Sequence, residues 1–260
     1  MNRIESLFSR KNSDILSVFL TAGHPHLSDT AKIIAELARQ GVDMVEVGIP
    51  FSDPMADGPT IQASSSIAIH NGMTLRLLLD QVEEARKSIP DDFPIVIMGY
   101  LNPIMQYGFE EFFSRCKEIG IDGLIIPDLP FDDYLSQIQP LSRQYRIPVI
   151  MLITPETSDE RIRLIDEHCD GFIYMVSAAS TTGTREKFDE TQLSYFRRIN
   201  AMNLKHRRLI GFGISNPLTR TQATENSSGV IIGSLFIKCL DASPDDIPAA
   251  VNTLLKKIGK

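Results

Sequence analysis

Glu46 and Asp57 are the side chains on which chemistry could turn, because they are carboxylates in unlike surroundings at the end of one predicted strand. Val42–Gly48, VDMVEVG, is almost continuously apolar, as a parallel strand buried on both faces is. A glutamate inside it has no water to face. Burying a carboxylate costs several kcal/mol, about 2–7 or more without a partner, so Glu46 must be paired, kept protonated or retained for a reaction. The loop that follows is stiffened by Pro50, Pro54 and Pro59 and brings Asp57 back over the strand end. Two carboxylates held in different environments make an acid–base pair. The structural alternative stays open on these residues alone: buried glutamates serve as ion-pair partners, and an aspartate in a Pro/Gly-rich loop serves as a turn former.

The elements that must position this pair recur along the whole chain. Apolar, strand-like runs lie at Ile15–Leu20, Val42–Gly48, Ile95–Tyr100, Gly123–Ile126, Pro148–Ile153, Phe172–Val176, Leu209–Gly213 and Val230–Gly233. Between them are segments with apolar residues at three- and four-residue spacing, such as Asp29–Gln40, with a capping aspartate at its start and Gly41 after it, and Phe109–Ile119, stopped by Gly120. Eight strand–loop–helix repeats predict a closed parallel (β/α)8 barrel of the TIM class, with residues 1–260 as a single domain. An open doubly wound sheet has the same alternation, and periodicity does not choose between them.

In a barrel the active site sits at the C-terminal ends of the strands. The less ordinary residues gather there: Thr21–Pro25 after the first strand, Glu46 to Asp57 after the second, Tyr100–Pro103 after the third, Pro127–Pro130 after the fourth and Ser177–Gly183 after the sixth. Side chains alternate along a strand, so Met44, Glu46 and Gly48 share one face, expected to be the barrel interior. The last two strands run into Gly211-Phe212-Gly213 and Gly233-Ser234, where backbone amides and a helix N-terminus can cradle a phosphate. Between Leu209 and Ile237 the sole cation is Arg220, so such a phosphate would be held by amides and the Ser234 hydroxyl rather than by an ion pair.

Composition narrows the partners. A net charge of −7 supplies no broad basic footprint for nucleic acid or an anionic membrane, and Lys205–Arg208 reads as a solvated link. The N-terminal residues lack a secretory pattern and no apolar run is long enough to span a bilayer, which predicts a cytoplasmic protein. Cys116, Cys169 and Cys239 are far apart and suit reduced, buried thiols. His24 and His26 flank Pro25 without a third ligand nearby, so no metal is assigned.

The segment Val45–Gln62, VEVGIPFSDPMADGPTIQ, together with Phe19–Gly23, Gly99–Pro103, Gly123–Pro130, Gly211–Ile214 and Ile232–Ser234 in the same order, resembles the tryptophan synthase alpha subunit family over essentially the full length. The resemblance implies a lyase that cleaves indole-3-glycerol phosphate to indole and glyceraldehyde 3-phosphate. It implies that Asp57 meets the indole N–H while Glu46 moves protons at C3 and the side-chain hydroxyl. Phe19, Tyr100, Ile125, Ile153, Tyr174, Thr182 and Phe212 would surround the substrate, and Gly183, Gly213, Gly233 and Ser234 its phosphate.

The resemblance further implies a beta subunit carrying pyridoxal phosphate, in an alpha2-beta2 tetramer, with no cofactor in this chain. The partner would meet Phe51–Pro59, Leu101–Gly108 and Asp128–Asp132, with Asp53 as a signalling residue. In the lid Ser177–Gly183 the chain departs from the family: Ala178, Ala179 and Ser180 stand where an arginine and a glycine precede the threonine. A different phosphate-binding barrel enzyme, or a barrel kept only to activate a partner, would share these elements; a scaffold has no use for a buried carboxylate.

Overall fold

The computed structural model describes residues 2–177 and 186–260. Its strands are β1 (Ile15–Thr21), β2 (Met44–Gly48), β3 (Ile95–Met98), β4 (Gly123–Ile125), β5 (Val149–Ile153), β6 (Phe172–Val176), β7 (Arg207–Gly211) and β8 (Gly229–Ile232). Each pairs in parallel with the next, and β8 pairs with β1, so the sheet is closed. Closure decides against the open sheet that the periodicity allowed.

The helices are α1 (Arg3–Arg10), α2 (Thr30–Arg39), α3 (Pro59–His70), α4 (Leu75–Arg86), α5 (Leu101–Tyr107), α6 (Phe109–Glu118), α7 (Phe131–Asp133), α8 (Gln139–Tyr145), α9 (Asp159–His168), α10 (Glu190–Ala201), α11 (Pro217–Thr224), α12 (Ser234–Ala242) and α13 (Ile247–Lys257), with a π-helical stretch Tyr134–Ile138 before α8. All but the short α7 bury residues against the rest of the fold. In α2 the buried residues are Thr30, Ile33, Ile34 and Leu37, one stripe at helical spacing. Among the described residues no helix is long and apolar enough to cross a membrane.

The register assigns faces, because paired residues on parallel strands point to the same side. Phe19 is level with Glu46 and Val96, and Gly48 with Met98 and Ile125. Ile125 is level with Ile150, Leu152 with Tyr174, and Val176 with Gly211. These residues form the inner face. Ile153 falls on the opposite side with Met175, toward the helices, and its carbonyl accepts from the Tyr195 hydroxyl of α10. The inner-face residue of β5 is therefore Leu152, and Ile153, expected toward the substrate, faces the helices instead.

Other boundaries also move. β3 ends at Met98, and Tyr100 is the N-cap of α5. β7 starts at Arg207, so the link before it is Lys205 and His206, with Lys205 exposed; Asp166 accepts from the backbone N–H groups of both. Asp29 precedes α2 but makes no side-chain cap; its carboxylate takes Lys32 and His26 instead. The three cysteines are buried and free.

Candidate active site

Glu46 is completely buried on the inner face of β2. The Ser17 hydroxyl, from β1, donates to its Oε1 at 2.8 Å, while Oε2 has no hydrogen-bond partner among the described residues. Burial pushes this carboxyl up to about 8, against the smaller opposing pull of the Ser17 bond. Glu46 is thus an acid poised to gain and lose a proton near neutrality.

Asp57 is half-buried on the loop after β2. Tyr100 donates its hydroxyl to Asp57 Oδ2 at 2.8 Å and accepts from the Ala56 N–H at 2.9 Å, so one phenol fixes the loop twice. The Phe51 ring stacks on Tyr100, with centroids 5.1 Å apart. Burial raises the Asp57 carboxyl, and the Tyr100 bond works against it. The Tyr100 hydroxyl is itself raised, first by burial and then by the adjoining Asp57 charge.

Tyr174 lies on the same inner face of the barrel as Glu46. It lies on β6, which is not a neighbour of β2, yet its hydroxyl is held well above the usual range by burial and then by the charges of Glu46 and Asp57. Groups on non-adjacent strands feel one another this way across the interior. Room for the rings comes from two glycines. A Cβ on Gly211 would lie 2.2 Å from the Tyr174 hydroxyl, and one on Gly48 2.4 Å from the Phe19 ring. Either addition would force the aromatic out of place.

The glycine-bearing ends of β7 and β8 lie side by side, since Gly211 is level with Ile231. Gly213 has φ +75°, a left-handed conformation natural to glycine, whereas Phe212 before it holds φ 68° against its side chain. Ser177 fastens that strained turn by donating to the Phe212 carbonyl at 2.8 Å, and Tyr174 meets the Phe212 ring edge-on at 6.3 Å. Gly233 precedes α12, whose first residue, Ser234, is exposed. Arg220 is committed elsewhere, bound to Asp14.

The structure therefore gathers Phe19, Glu46, Tyr100, Ile125, Tyr174 and Phe212 around one interior, with Gly213, Gly233 and Ser234 at adjoining strand ends. Thr182 and Gly183, with most of the expected lid, lie outside the described residues. Sequence reasoning did not single out Ser17, Met98 or Leu152, which the register places on the inner face. Alternation along β3 and β5 would have named Met98 and Leu152 had the phase been known. Among the described residues no group of three ligating side chains comes together to hold a metal. His24 is buried against Asp241, with Nε2 2.9 Å from the carboxylate. His26 lies 2.8 Å from Asp29.

The segments expected at a partner surface are joined through the site. Tyr100 holds Ala56 and Asp57, and Asp128 accepts from the Leu101 N–H at 2.8 Å. Met55 and Met105 project from this surface as exposed apolar side chains.

Comparison with known proteins points in one direction. A family model described as tryptophan synthase alpha chain matches residues 6–260. The tryptophan synthase alpha chain of Phocaeicola vulgatus is 54% identical over 258 residues, covering 99% of each chain. That of Parabacteroides distasonis is 55% identical over 260 residues, again covering 99% of each. A crystal structure of the tryptophan synthase alpha chain from Legionella pneumophila subsp. pneumophila is similar with a TM-score of 0.88 at 31% identity, over 99% of this chain and 96% of that one. A structure of tryptophan synthase from M. tuberculosis in an aminoacrylate-bound form gives 0.85 at 27% identity, over 99% and 98%.

Proposed function

The chain belongs to the tryptophan synthase alpha chain family, lyases that cleave indole-3-glycerol phosphate, and from that premise we propose how its own residues divide the work. Glu46 is the proton-transfer group and Asp57 the electrostatic partner of the indole ring. The observation that carries this reading is the enclosed Glu46 carboxyl, raised to about 8 with one oxygen unpartnered.

The bond to be broken joins indole C3 to the glycerol side chain. A proton delivered to C3 by Glu46 turns the ring into an indolenine whose positive charge lies toward the nitrogen, where the Asp57 carboxylate stabilises it. The side-chain hydroxyl then loses its proton to the same Glu46. As the aldehyde forms, the electrons of the broken bond return to C3, leaving indole and glyceraldehyde 3-phosphate. One proton is given and one taken back, so Glu46 ends as it began. Tyr100 holds the Asp57 oxygen Oδ2, which leaves Oδ1 for the indole N–H.

Phe19, Tyr100, Ile125, Leu152, Tyr174 and Phe212 enclose the ring. The amides beside Gly213 and Gly233, with the N-terminus of α12 and the Ser234 hydroxyl, take the phosphate without a cationic side chain. The chain acts as one domain over residues 1–260, in the cytoplasm. Its partner is a beta subunit that carries the pyridoxal phosphate and receives indole, in an alpha2-beta2 tetramer docked over Phe51–Pro59, Leu101–Gly108 and Asp128–Asp132. Asp53, exposed on the first of these, carries the signal between subunits.

The test is indole release from indole-3-glycerol phosphate, with the dephosphorylated substrate and an aminoaldose phosphate as controls. Indole from the phosphorylated substrate, little from the dephosphorylated one and no turnover of the aminoaldose phosphate is expected. Turnover of the sugar phosphate without indole release would overturn the reading.

A further inference from the structure

β1 reads ILSVFLT, apolar but for Ser17 until its last residue, and Ser17 is completely buried with its side chain on the inner face. A buried hydroxyl costs free energy unless it is bonded, and a strand offers no carbonyl one helical turn back to receive it. Its partner is Glu46 Oε1 at 2.8 Å. Alanine would fill nearly the same volume without that cost. Ser17 is level with Met44, one inner-face step below Phe19, which is level with Glu46. The bond therefore holds Oε1 on the floor side of the carboxyl and leaves Oε2 as the free oxygen.

We propose that Ser17 is a positioning residue for the lyase reaction: by fixing Oε1 it makes Glu46 Oε2 the atom that exchanges protons with substrate. The inference rests on the reading of Glu46 as the proton-transfer group. With Oε1 accepting from Ser17, the exchangeable proton of the neutral acid resides on Oε2, and the side chain keeps one orientation through both proton transfers. The inner-face residues of the flanking strands level with Glu46, Phe19 and Val96, are not ionisable. Among the described residues the titratable group coupled to Glu46 is Tyr174, across the barrel, on which Asp57, held by Tyr100, also acts. Ser17 is therefore the near hydrogen-bonding group through which the carboxyl's orientation is set.

The experiment compares the full chain with S17A, S17T and E46Q, measuring kcat, KM and the pH dependence of kcat for indole release, with thermal midpoints as a check on folding. Loss of one hydrogen bond to an ionisable group predicts that S17A lowers kcat about tenfold, with KM within about twofold. The ionised carboxylate loses a donor, so the limb of the pH profile belonging to Glu46 moves to higher pH by about one unit. S17T, which keeps the hydroxyl, recovers most of the rate and the wild-type profile. An S17A enzyme with wild-type kcat and pH profile would overturn the inference, as would a slower S17A whose profile does not move and which S17T fails to rescue. E46Q separates the two levels: if it remains active, the reading of Glu46 fails, whereas an inactive E46Q beside an unaffected S17A removes Ser17 alone.

Discussion

Two buried carboxylates at different heights of the barrel have nearly the same exposure and opposite surroundings. Asp122, just before β4 at the floor, is 3% exposed, and Glu46, in the interior of β2, is 0% exposed. Asp122 takes Arg86 at 2.7 Å, Arg3 at 3.1 Å and the Ile95 N–H at 2.9 Å, binding α4, α1 and β3 to one point. Glu46 takes one neutral hydroxyl. Burial alone therefore does not distinguish the two carboxylates. A desolvated carboxylate that the fold has compensated with cations is structural, whereas one left partly uncompensated shifts its titration and becomes useful.

Exchanging either acid for its amide sharpens that contrast. E46Q should lower indole release at least about a hundredfold, the usual weight of a positioned acid–base group, while its thermal midpoint stays at or above that of the parent. D122N should do the reverse: it strands Arg86 and Arg3 and costs about 3 kcal/mol, read from denaturant unfolding, while kcat of the folded enzyme holds. If D122N proves catalytically dead but stable, the two roles have been misassigned. A smaller effect, about tenfold on kcat, is expected for Y100F, which removes the donor from Asp57 Oδ2 and loosens the loop at Ala56. Because that donor favours the ionised Asp57, its loss should move the Asp57 limb of the pH profile upward. An unchanged profile would mean that the phenol only packs.

Stability should follow pH by the same logic. The Glu46 carboxyl is raised to about 8 in the fold, against about 4.3 in an unfolded chain, so the folded state holds a proton that the unfolded state has lost between these values. Its contribution to stability is complete below the unfolded value and is lost as pH rises through the folded one. E46Q should abolish this decline between about pH 4.3 and 8. A parallel decline in E46Q would assign it to another group.

Much of this was legible before the fold was seen, and the misses have a common cause. The eight strands and Glu46 stand out because an acid interrupts an apolar run. Phase within such runs does not: Pro148–Ile153 is apolar on both faces, so nothing in the string distinguishes Leu152, which faces the cavity, from Ile153, which faces α10. Met98 was hidden in the same way within IVIM, whereas Ser17 interrupts an apolar run visibly but its partner, Glu46, lies on another strand. Asp122 passed unnoticed because its partners, Arg3 and Arg86, are remote in sequence and meet only when the barrel closes. Gly213 was visible as a glycine, but the left-handed turn that it shares with Phe212 was not.

The most direct test of the account is the titration of the Glu46 carboxyl itself. Carbon-13 spectra of protein labelled at the glutamate side-chain carboxyl, with E46Q to identify the resonance, would follow it from pH 4 to 10. The account predicts a neutral acid at pH 7 that titrates near 8. A carboxyl that is already ionised at pH 6 and titrates at about 4.3, the ordinary glutamate value, would contradict it.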